Sequence, residues 1–556
     1  MPDIFATLDE AKAYSPAVAP NFMVTAGYFS AGDGGGAQYK KVSAQPTHAG
    51  KFSITLSGGG TTWYELSIGQ PISVEMFGAI GHKTDAAALA GGAANSTTAI
   101  LNAIEFLRSN GDTLNDGLTN KIITAYTSGT LHFGRGIFNI TAGAIRITQD
   151  INLTWRGQGC GGKTIYARAA TTILITGTSS GFGIEAYGNG SRGFRQIDID
   201  ICYATSGFTG NILSLIGSPG SYPERCKFGT FGIRGSQYLY TPRSCISIAY
   251  DEFFNPKECV FTGAERGIRI EDDNRLAVFT GSISGNTLTV TAMLSGEIGT
   301  DLRIWDTTTG SLIGRSIVSL GTGTGGIGTY VLDGAAASLS SRTLAGDLSW
   351  GGSNSHIGDC VFYDLTTKAV EFRGARRRTR QSIKDSIMNP INLGGQNGWD
   401  LRNIDGLALD NNDHVGSVGF APTNGWLYIE NCTGTITSCV FGDGAVGIQA
   451  SGFLNITGNV FNGTLGVNIF GESIVAGKGN EYILTAGPSR KGFTLGSLSA
   501  NITIDVGPDR FNGNCSSSYD FPTGAAAKGR VYRAISHDFS QNGALNGAAG
   551  VTITSV

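Results

Sequence analysis

One short pattern recurs along the chain and limits what the chain can fold into. Each copy begins with cysteine or asparagine, one further residue and phenylalanine; after a turn come a small, an aliphatic, a polar and an apolar residue. The copies begin at Cys226, Cys259, Cys360, Cys439 and Asn459. A repeat of about 20 to 30 residues with three short strands predicts coils stacked about 4.8 Å apart. The pattern therefore predicts an all-β chain, a right-handed parallel β-helix of three-strand coils, with ladders of Cys, Asn and Phe inside.

Composition agrees with turn-rich β-structure and argues against several classes of partner. Glycine, which tolerates the positive φ angles of tight turns, makes up 84 of the 556 residues. A net charge of −3 gives no basic footprint for nucleic acid. Nine cysteines without paired spacing predict reduced, buried side chains, and the six histidines lack metal-binding spacing, so we expect no metal and no cofactor. No stretch of about 18 apolar residues occurs, so we expect no membrane insertion.

The order of these patterns divides the chain into five parts. Helical spacing of apolar residues predicts one long helix near 97–109. Alternating strands without the Cys-x-Phe repeat predict a small antiparallel β-domain inserted into one loop of the coil. The predicted parts are an N-terminal β-module (1–70), a first part of the β-helix capped by the helix (71–278), the inserted domain (279–350), a second part of the β-helix (351–490) and a C-terminal cap or subunit contact (491–556).

Residues 74–140 resemble a known superfamily. The strand-turn VEMFGAIG (74–81), a helix containing TTAILNAI (97–104) and the first coil GTLHFGRGIFNI (129–140) are similar to the entry of the pectate-lyase-like superfamily. In that superfamily the helix covers the open N-terminal end of a right-handed parallel β-helix. The superfamily's acidic Asp-Gly and Asp-Asp-Thr positions are GHKTD and NSTT in this chain, so they carry no functional acidic motif here.

Residues 22–66 resemble the N-terminal anchor module that precedes this motif in bacteriophage tailspikes. The resemblance implies a homotrimeric tailspike that binds, and usually cleaves, a bacterial surface polysaccharide such as capsule, exopolysaccharide or O-antigen. It also implies that the N-terminal module attaches to the phage tail or baseplate, so that the virion protein acts at the bacterial cell surface. The start MPDIFATLDE lacks a basic region followed by an apolar core, so we expect synthesis in the host cytoplasm without a signal peptide.

Two glutamates on neighbouring repeats are the main catalytic candidates. Aligning GIRIEDD with AVEFRGA turns the apolar residues inward and stacks Arg269 over Glu371 and Glu271 over Arg373. Glu271 and Glu371 then lie diagonally, about 8 Å apart between Cα atoms. Such a pair suits an inverting glycoside hydrolase, with the two arginines holding the ionised carboxylate or the sugar. Ordinary surface ion-pair ladders have the same pattern, and this alternative stays open.

Further candidates surround this pair. Asp272 and Asp273 are weaker catalytic candidates, because aspartate is also a common turn residue. The outward row continues with Arg234 before it and with Gln449 and Asn468 after it, a composition typical of sugar-binding grooves. The substrate-binding candidates are Arg269, Arg373, Arg376, Tyr250, Asp251 and Glu252.

Two other functions are compatible with the same fold. A polysaccharide lyase would abstract a proton next to a uronate and would depend on Arg or Lys and on Tyr. A receptor-binding fibre would bind the polysaccharide without cleaving it. Hydrolysis by a carboxylate pair is the prediction, and these two functions are its alternatives.

Overall fold

The computed structural model describes residues 3–90, 93–110, 113–114, 126–148, 151–161, 169–187, 193–217, 220–231, 242–249, 253–271, 277–296, 298–299, 302–309, 311–347, 354–373, 378–389, 398–414, 425–442, 446–463, 465–484, 491–495, 502–512, 517–520, 527–533 and 551–555. Strands dominate these residues. The helices within them are Leu8–Ala13, Asp85–Leu89, Thr97–Asn110 and the 3-10 helix Val74–Phe77.

Most strands belong to three parallel series, which we name sheets A, B and C in their order along each coil. Sheet A contains Ile145–Thr148, Phe182–Tyr187, Asn211–Ile216, Ser244–Ala249, Arg266–Glu271, Lys368–Arg373, Trp399–Arg402, Leu427–Thr437, Ile448–Thr457, Leu465–Gly477, Lys491–Leu495 and Ser517–Asp520. Sheet C contains Gly136–Thr141, Thr171–Thr176, Asp200–Tyr203, Lys227–Thr230, Val260–Thr262, Val361–Tyr363, Ile387–Asn389, Asp413–His414, Val440–Phe441, Val460–Gly463, Glu481–Leu484 and Arg510–Asn512.

Sheet B lies between the other two along each coil. It contains Ile72–Ser73, Tyr126–His132, Ile151–Arg156, Arg195–Ile197, Tyr222–Glu224, His356–Gly358, Arg378–Thr379, Ser382–Lys384, Ile404–Asp410, the later halves of the three long strands of sheet A that begin at Leu427, Ile448 and Leu465, and then Ile502–Val506, Ala527–Arg533 and Val551–Ser555. Thr113–Leu114 pairs antiparallel with its second strand. Since the pairings along all three series are otherwise parallel and join successive coils, the chain is a parallel β-helix, which confirms the predicted fold class.

The repeated cysteine and asparagine form a ladder in the interior, as predicted. The side chain of one coil accepts a hydrogen bond from the main-chain N–H at the equivalent position of the coil before. These bonds run from Cys439 N to Asn459 Oδ1 (2.9 Å), from Asn459 N to Asn480 Oδ1 (3.1 Å) and from Asn480 N to Asp509 Oδ1 (2.8 Å). Each buried polar side chain thus satisfies a main-chain donor that a three-sided coil leaves unpaired at its corner.

The residue before each ladder position turns the chain from sheet B into sheet C. Asp359, Asp385, Asn411 and Ser438 all adopt the left-handed conformation there, with φ between 51° and 55°. Short polar side chains reach this conformation at lower cost than other non-glycine residues. The repeat therefore includes a turn residue directly before the cysteine or asparagine. The Cys-x-Phe pattern does not contain this position.

Aromatic side chains stack inside sheet C along the same direction. Phe228, Phe261 and Phe362 form one stack, with ring centroids 5.7 and 5.1 Å apart. A second stack begins at His414 and continues through Phe441, Phe461, Tyr482 and Phe511. Met388 occupies the register position between the two stacks. The predicted phenylalanine ladder is confirmed, and one methionine interrupts it.

The described cysteines are free thiols, and seven of the eight are buried. Burial raises the pKa of the Cys202 thiol to about 12 and that of the Cys439 thiol to about 11. A thiol with so high a pKa stays protonated at neutral pH and is a poor nucleophile. The structural role predicted for these cysteines agrees with their surroundings.

The N-terminal part is a separate sheet followed by the predicted cap. Strands Asp3–Phe5, Phe22–Thr25, Ala37–Val42, Lys51–Thr55 and Thr61–Leu66 form the five-stranded sheet. The helix Thr97–Asn110 buries its apolar face on the first coil, where Leu107 contacts Gly129. Phe106 of the same helix contacts His48, in the connection between two strands of the N-terminal sheet, with ring centroids 4.9 Å apart. One helix therefore packs against both the coil and the N-terminal sheet.

A closed β-barrel interrupts one coil between sheets A and B. Its strands are Ala277–Gly285, Thr287–Gly296, Arg303–Asp306, Ser311–Leu320, Gly328–Leu332 and Ala337–Asp347. The barrel has its own apolar core, which extends to Ala249 at the end of a sheet A strand. Across the interruption, Arg266–Glu271 pairs directly with Lys368–Arg373, so the coil continues in register.

Strands after residue 490 continue the same sheets. Lys491–Leu495 and Ser517–Asp520 extend sheet A, and Ala527–Arg533 pairs with Val551–Ser555 in sheet B. The sequence-based boundary at 490 therefore falls inside the stack of coils, because the ladder residues change there while the strand pairing does not. Within the described residues no helix is long and apolar enough to cross a membrane.

Candidate functional site

A row of polar side chains runs along the outer surface of sheet A. Neighbouring members are register partners on successive coils, and the residues beside them on each strand are apolar and buried. The pleat therefore turns the row away from the core. We call it the polar row; its members are Arg146, Glu185, Ser214, Ser247, Arg269, Glu371, Asp400, Tyr428, Gln449, Asn468, Thr494 and Asp520.

The register predicted from the repeats is the register of the structure. Arg269 lies opposite Glu371, and Glu271 lies opposite Arg373. Gln449 and Asn468 also belong to the polar row. The position before Arg269 is occupied by Ser247, which corrects the alignment that placed Arg234 there. The alignment failed because the strand Ser244–Ala249 lacks a Cys-x-Phe copy immediately before it.

Glu371 lies at the centre of a network of ion pairs and is fully buried. Its Oε1 accepts a hydrogen bond from Lys368 Nζ at 2.8 Å, and its Oε2 lies 2.7 Å from Arg266 Nε and 3.4 Å from Arg269 Nε. Burial alone would raise the pKa of Glu371, but Lys368, Arg266 and Arg269 outweigh it and hold that pKa below its ordinary value. Glu371 is therefore an ionised carboxylate with both oxygens engaged by cations.

Asp400, on the next strand, is the second buried carboxylate of the network. Lys368 Nζ bridges Asp400 to Glu371, and Arg402 donates Nε to Asp400 Oδ1 at 2.7 Å and a terminal nitrogen to Oδ2 at 3.1 Å. Burial raises the pKa of Asp400, yet Arg402 and Lys368 together lower it below its ordinary value. Sequence reasoning missed this residue because its coil lacks the Cys-x-Phe signature. The alternation Trp399-Asp400-Leu401 was the available signal.

The network reaches the surface on the side of Tyr428. Arg402 binds Glu430 at 2.9 Å, and its guanidinium carbon lies 4.8 Å from the ring centre of Tyr428. The ring of Tyr428 stacks on Phe470, with centroids 5.2 Å apart and an interplanar angle of 26°. Both rings are half-buried, so this part of the polar row presents an aromatic surface flanked by a cation and a carboxylate.

The structure describes some of the predicted site residues and not others. Glu371 and Arg269 are both described and are brought together. Glu271 and Arg373 are described in their main chain only. The predicted candidates that lie outside the described residues are Asp272, Asp273, Arg376, Tyr250, Asp251 and Glu252.

These contacts limit the chemistry of the buried carboxylates. A general acid for glycoside cleavage needs a raised pKa and access to the leaving oxygen. Glu371 and Asp400 have lowered pKa values, are fully buried and already hold cations. Their arrangement is that of a buried ion-pair network, which orients Arg266, Arg269 and Arg402 at the surface of sheet A. Among the described residues, no group of histidine, cysteine, aspartate and glutamate has the arrangement of a metal site.

Comparison with known proteins gives similarity at the level of solved structures only. No family model and no curated protein matches the chain. The gp42 tailspike of Acinetobacter phage vb_AbaP_AS12 is similar with 12% identity and a TM-score of 0.46, over 95% of this chain and 74% of that one. The tailspike gp49 of Acinetobacter baumannii bacteriophage Fri1, described as a capsular polysaccharide depolymerase, has 11% identity and a TM-score of 0.41, with coverages of 93% and 75%.

A bacterial enzyme gives a similar result. DFA-IIIase from Arthrobacter chlorophenolicus A6 has 10% identity and a TM-score of 0.46, over 87% of this chain and 98% of that one. The assignment of the parallel β-helix rests on the strand pairings of the chain itself.

Proposed function

We propose that this chain is a bacteriophage tailspike that binds a bacterial surface polysaccharide and cleaves it. The observation that carries the proposal is the polar row, which runs along one face of a parallel β-helix and combines an ion-pair network with a stacked aromatic pair. Two resemblances support it: residues 22–66 resemble the anchor module of bacteriophage tailspikes, and residues 74–140 resemble the entry of the pectate-lyase-like superfamily. In this proposal the protein is a homotrimer on the virion and attaches to the phage tail through the five-stranded N-terminal sheet.

The aromatic part of the polar row suits a sugar ring. The carbon face of a pyranose packs on aromatic rings, and its hydroxyl groups pair with charged or amide side chains at the edge. Tyr428 and Phe470 supply the rings. Arg402 and Glu430 border them, and Gln449 follows along the row. A polymer lying over this part of the row would meet half-buried side chains of successive coils, Tyr428 and then Gln449, about 4.8 Å apart.

For the cleavage step we propose hydrolysis with Glu271 as the proton donor. The donor protonates the leaving glycosidic oxygen, and a second carboxylate activates the attacking water. Because Glu371 is ionised and covered, it acts in this proposal as a positioning residue that holds Arg266 and Arg269. Asp272 and Asp273, which adjoin Glu271 in sequence, are the candidates for the second carboxylate.

The test is digestion of surface polysaccharide extracted from bacteria to which the purified protein adsorbs. Release of saturated oligosaccharides supports hydrolysis, whereas products that absorb in the ultraviolet indicate a lyase. Adsorption without any released oligosaccharide would leave a receptor-binding fibre and refute cleavage. In the Glu271→Gln variant we expect loss of cleavage with adsorption retained, and full activity in this variant would refute the assignment of the proton donor.

A further inference from the structure

A second surface region lies on the outer side of sheet B, separate from the polar row. It is an open groove of about 680 Å³. Its floor and rim combine apolar carbon with amine, imidazole, hydroxyl, amide and carboxylate groups. The residues that line it are Tyr222, Glu224, Asn255, Pro256, Lys257, His356, Ile357, Gly358, Asp359, Ser382, Lys384, Asp385 and Ala408.

The groove exists because one position in an outward row has no side chain. Glu224, Lys257, Gly358, Lys384 and Asp410 occupy the same register position on successive coils. A Cβ atom added at Gly358 would meet no other atom within 4 Å. The long side chains on either side stand about one strand spacing away from an empty position. Gly358 is thus the lowest point of the groove, with Lys257 and Lys384 as its walls.

A second row gives the groove its polar detail. His356 and Ser382 are register partners, and His356 Nδ1 lies 2.6 Å from Ser382 Oγ. Ala408 follows in the same row, so the groove stays open in that direction. At the other end Tyr222 presents an aromatic ring, over which Arg195 lies at 4.7 Å. The residues that carry these groups belong to strands of the coil, which fixes their main-chain positions.

The two lysine walls are held only loosely. Lys257 Nζ lies 3.5 Å from Glu258, and Lys384 Nζ lies 3.5 Å from Asp410. The lysine side chains are 63% and 51% exposed. Such exposed pairs contribute about 0 to 1 kcal/mol, so the ammonium groups can exchange these partners for ligand oxygens at little cost.

The charges around the groove select the class of ligand. Lys257 and Lys384 are balanced by Glu224, Asp359 and Asp385. A strongly anionic polymer would meet three carboxylates, and an apolar peptide would leave all these groups without hydrogen bonds. A ring with a carbon face and an edge of hydroxyl groups fits both the apolar floor and the mixed rim.

We infer that the groove over Gly358 is a second glycan-binding site, which takes uncharged pyranose units of the surface polysaccharide. The inference rests on the proposed function, because it assumes that the chain binds a polysaccharide. It adds a site on sheet B that anchors the polymer apart from the polar row on sheet A. A long chain bound at both sites would dissociate more slowly than one bound at either site alone.

The test places a steric block at Gly358, the open position in the groove. The probe is protease-treated surface polysaccharide from bacteria to which the full-length protein adsorbs, measured on ice to limit cleavage. A Cβ at Gly358 meets no atom within 4 Å, so Gly358→Tyr can place its ring in the groove, and we expect at least tenfold weaker binding of the long polymer. Gly58→Tyr is the matched control, because a Cβ there also meets no atom within 4 Å. We expect wild-type affinity for this control.

A second variant guards against misfolding of the first. Lys257→Ala combined with Lys384→Ala changes only exposed side chains, and we expect several-fold weaker binding. Cleavage of short oligosaccharides should stay within twofold of wild type in both variants. If the wild type binds the polymer and both groove variants bind it equally well, this inference is refuted and the proposed function stands. If the wild type binds no extracted polysaccharide, the proposed function fails and the groove assignment fails with it.

Discussion

Replacing Glu371 by glutamine removes a negative charge from a buried site at which three cations meet. The substitution keeps the shape of the side chain but places an amide where Lys368 Nζ and Arg266 Nε now contact carboxylate oxygens. Removing one partner of a buried ion pair costs about 3 to 5 kcal/mol, because the remaining charge loses its compensation. Here Lys368 keeps Asp400 and Arg266 keeps Glu265. We therefore expect a loss of stability near the lower limit, about 3 kcal/mol.

The measurement is urea-induced unfolding of wild type and variant at equal protein concentration, since the stability of the proposed homotrimer would depend on concentration. Glu430→Gln is the matched control: Glu430 belongs to the same network but its side chain is 41% exposed. The exposed pair contributes at most about 1 kcal/mol. We expect the urea concentration at the midpoint of unfolding to decrease at least three times more for Glu371→Gln than for Glu430→Gln.

The effect should depend on pH with a definite sign. The pKa of Glu371 is lowered in the folded state, so its contribution to stability is present above the unfolded-state pKa, about 4.3. The contribution is lost as pH falls through the folded-state pKa. The difference in the free energy of unfolding between wild type and Glu371→Gln should therefore be constant near neutral pH and should decrease below about pH 4. Full stability combined with complete loss of cleavage would refute the positioning role and indicate that Glu371 reacts with the substrate.

Three further predictions concern the interior. Burial lowers the pKa of His414 from 6.5 to about 3, so at pH 5 the unfolded state binds a proton that the folded state does not. This proton lowers the free energy of unfolding by about 2 kcal/mol at pH 5. His414→Phe should therefore raise the free energy of unfolding, measured in urea, by about 2 kcal/mol more at pH 5 than at pH 7.5. Asn459→Ala removes the acceptor for Cys439 N and the donor to Ile436 O and should cost about 1 to 3 kcal/mol, whereas Asn455→Ala, at the surface of the same coil, should change the free energy of unfolding by less than about 0.5 kcal/mol. Iodoacetamide should label Cys160 alone among the eight described cysteines of the native protein; labelling of the buried seven before unfolding would contradict the packing.

Much of the fold was predictable because its interior is repetitive. A side chain inside a parallel coil lies on its own counterpart in the next coil, so similar residues recur at similar positions and become visible in the sequence. The Cys-x-Phe copies gave the register of Glu371 against Arg269 correctly for this reason. The inserted barrel was visible by contrast, since its alternating strands lack the repeat.

The site was less predictable because outward positions do not repeat. Nothing in the ladder pattern indicates that Lys368 bridges two carboxylates or that Asp400 belongs to the network. Spacing alone also could not distinguish an accessible glutamate from a buried one, and Glu371 is buried. The groove on sheet B depends on the absence of a side chain at Gly358, which in a chain rich in glycine carries no distinguishing signal.

The way in which the closed barrel is joined to the coil affects how the sequence can evolve. Its first and last strands pair with each other, with Ala277 opposite Gly346, so the chain leaves and re-enters the coil at nearly the same point. The coil strands on either side pair directly and do not depend on what lies between them. Recombination could therefore replace this domain with another domain whose two ends lie close together. The strand pairing of every coil after the insertion would stay the same.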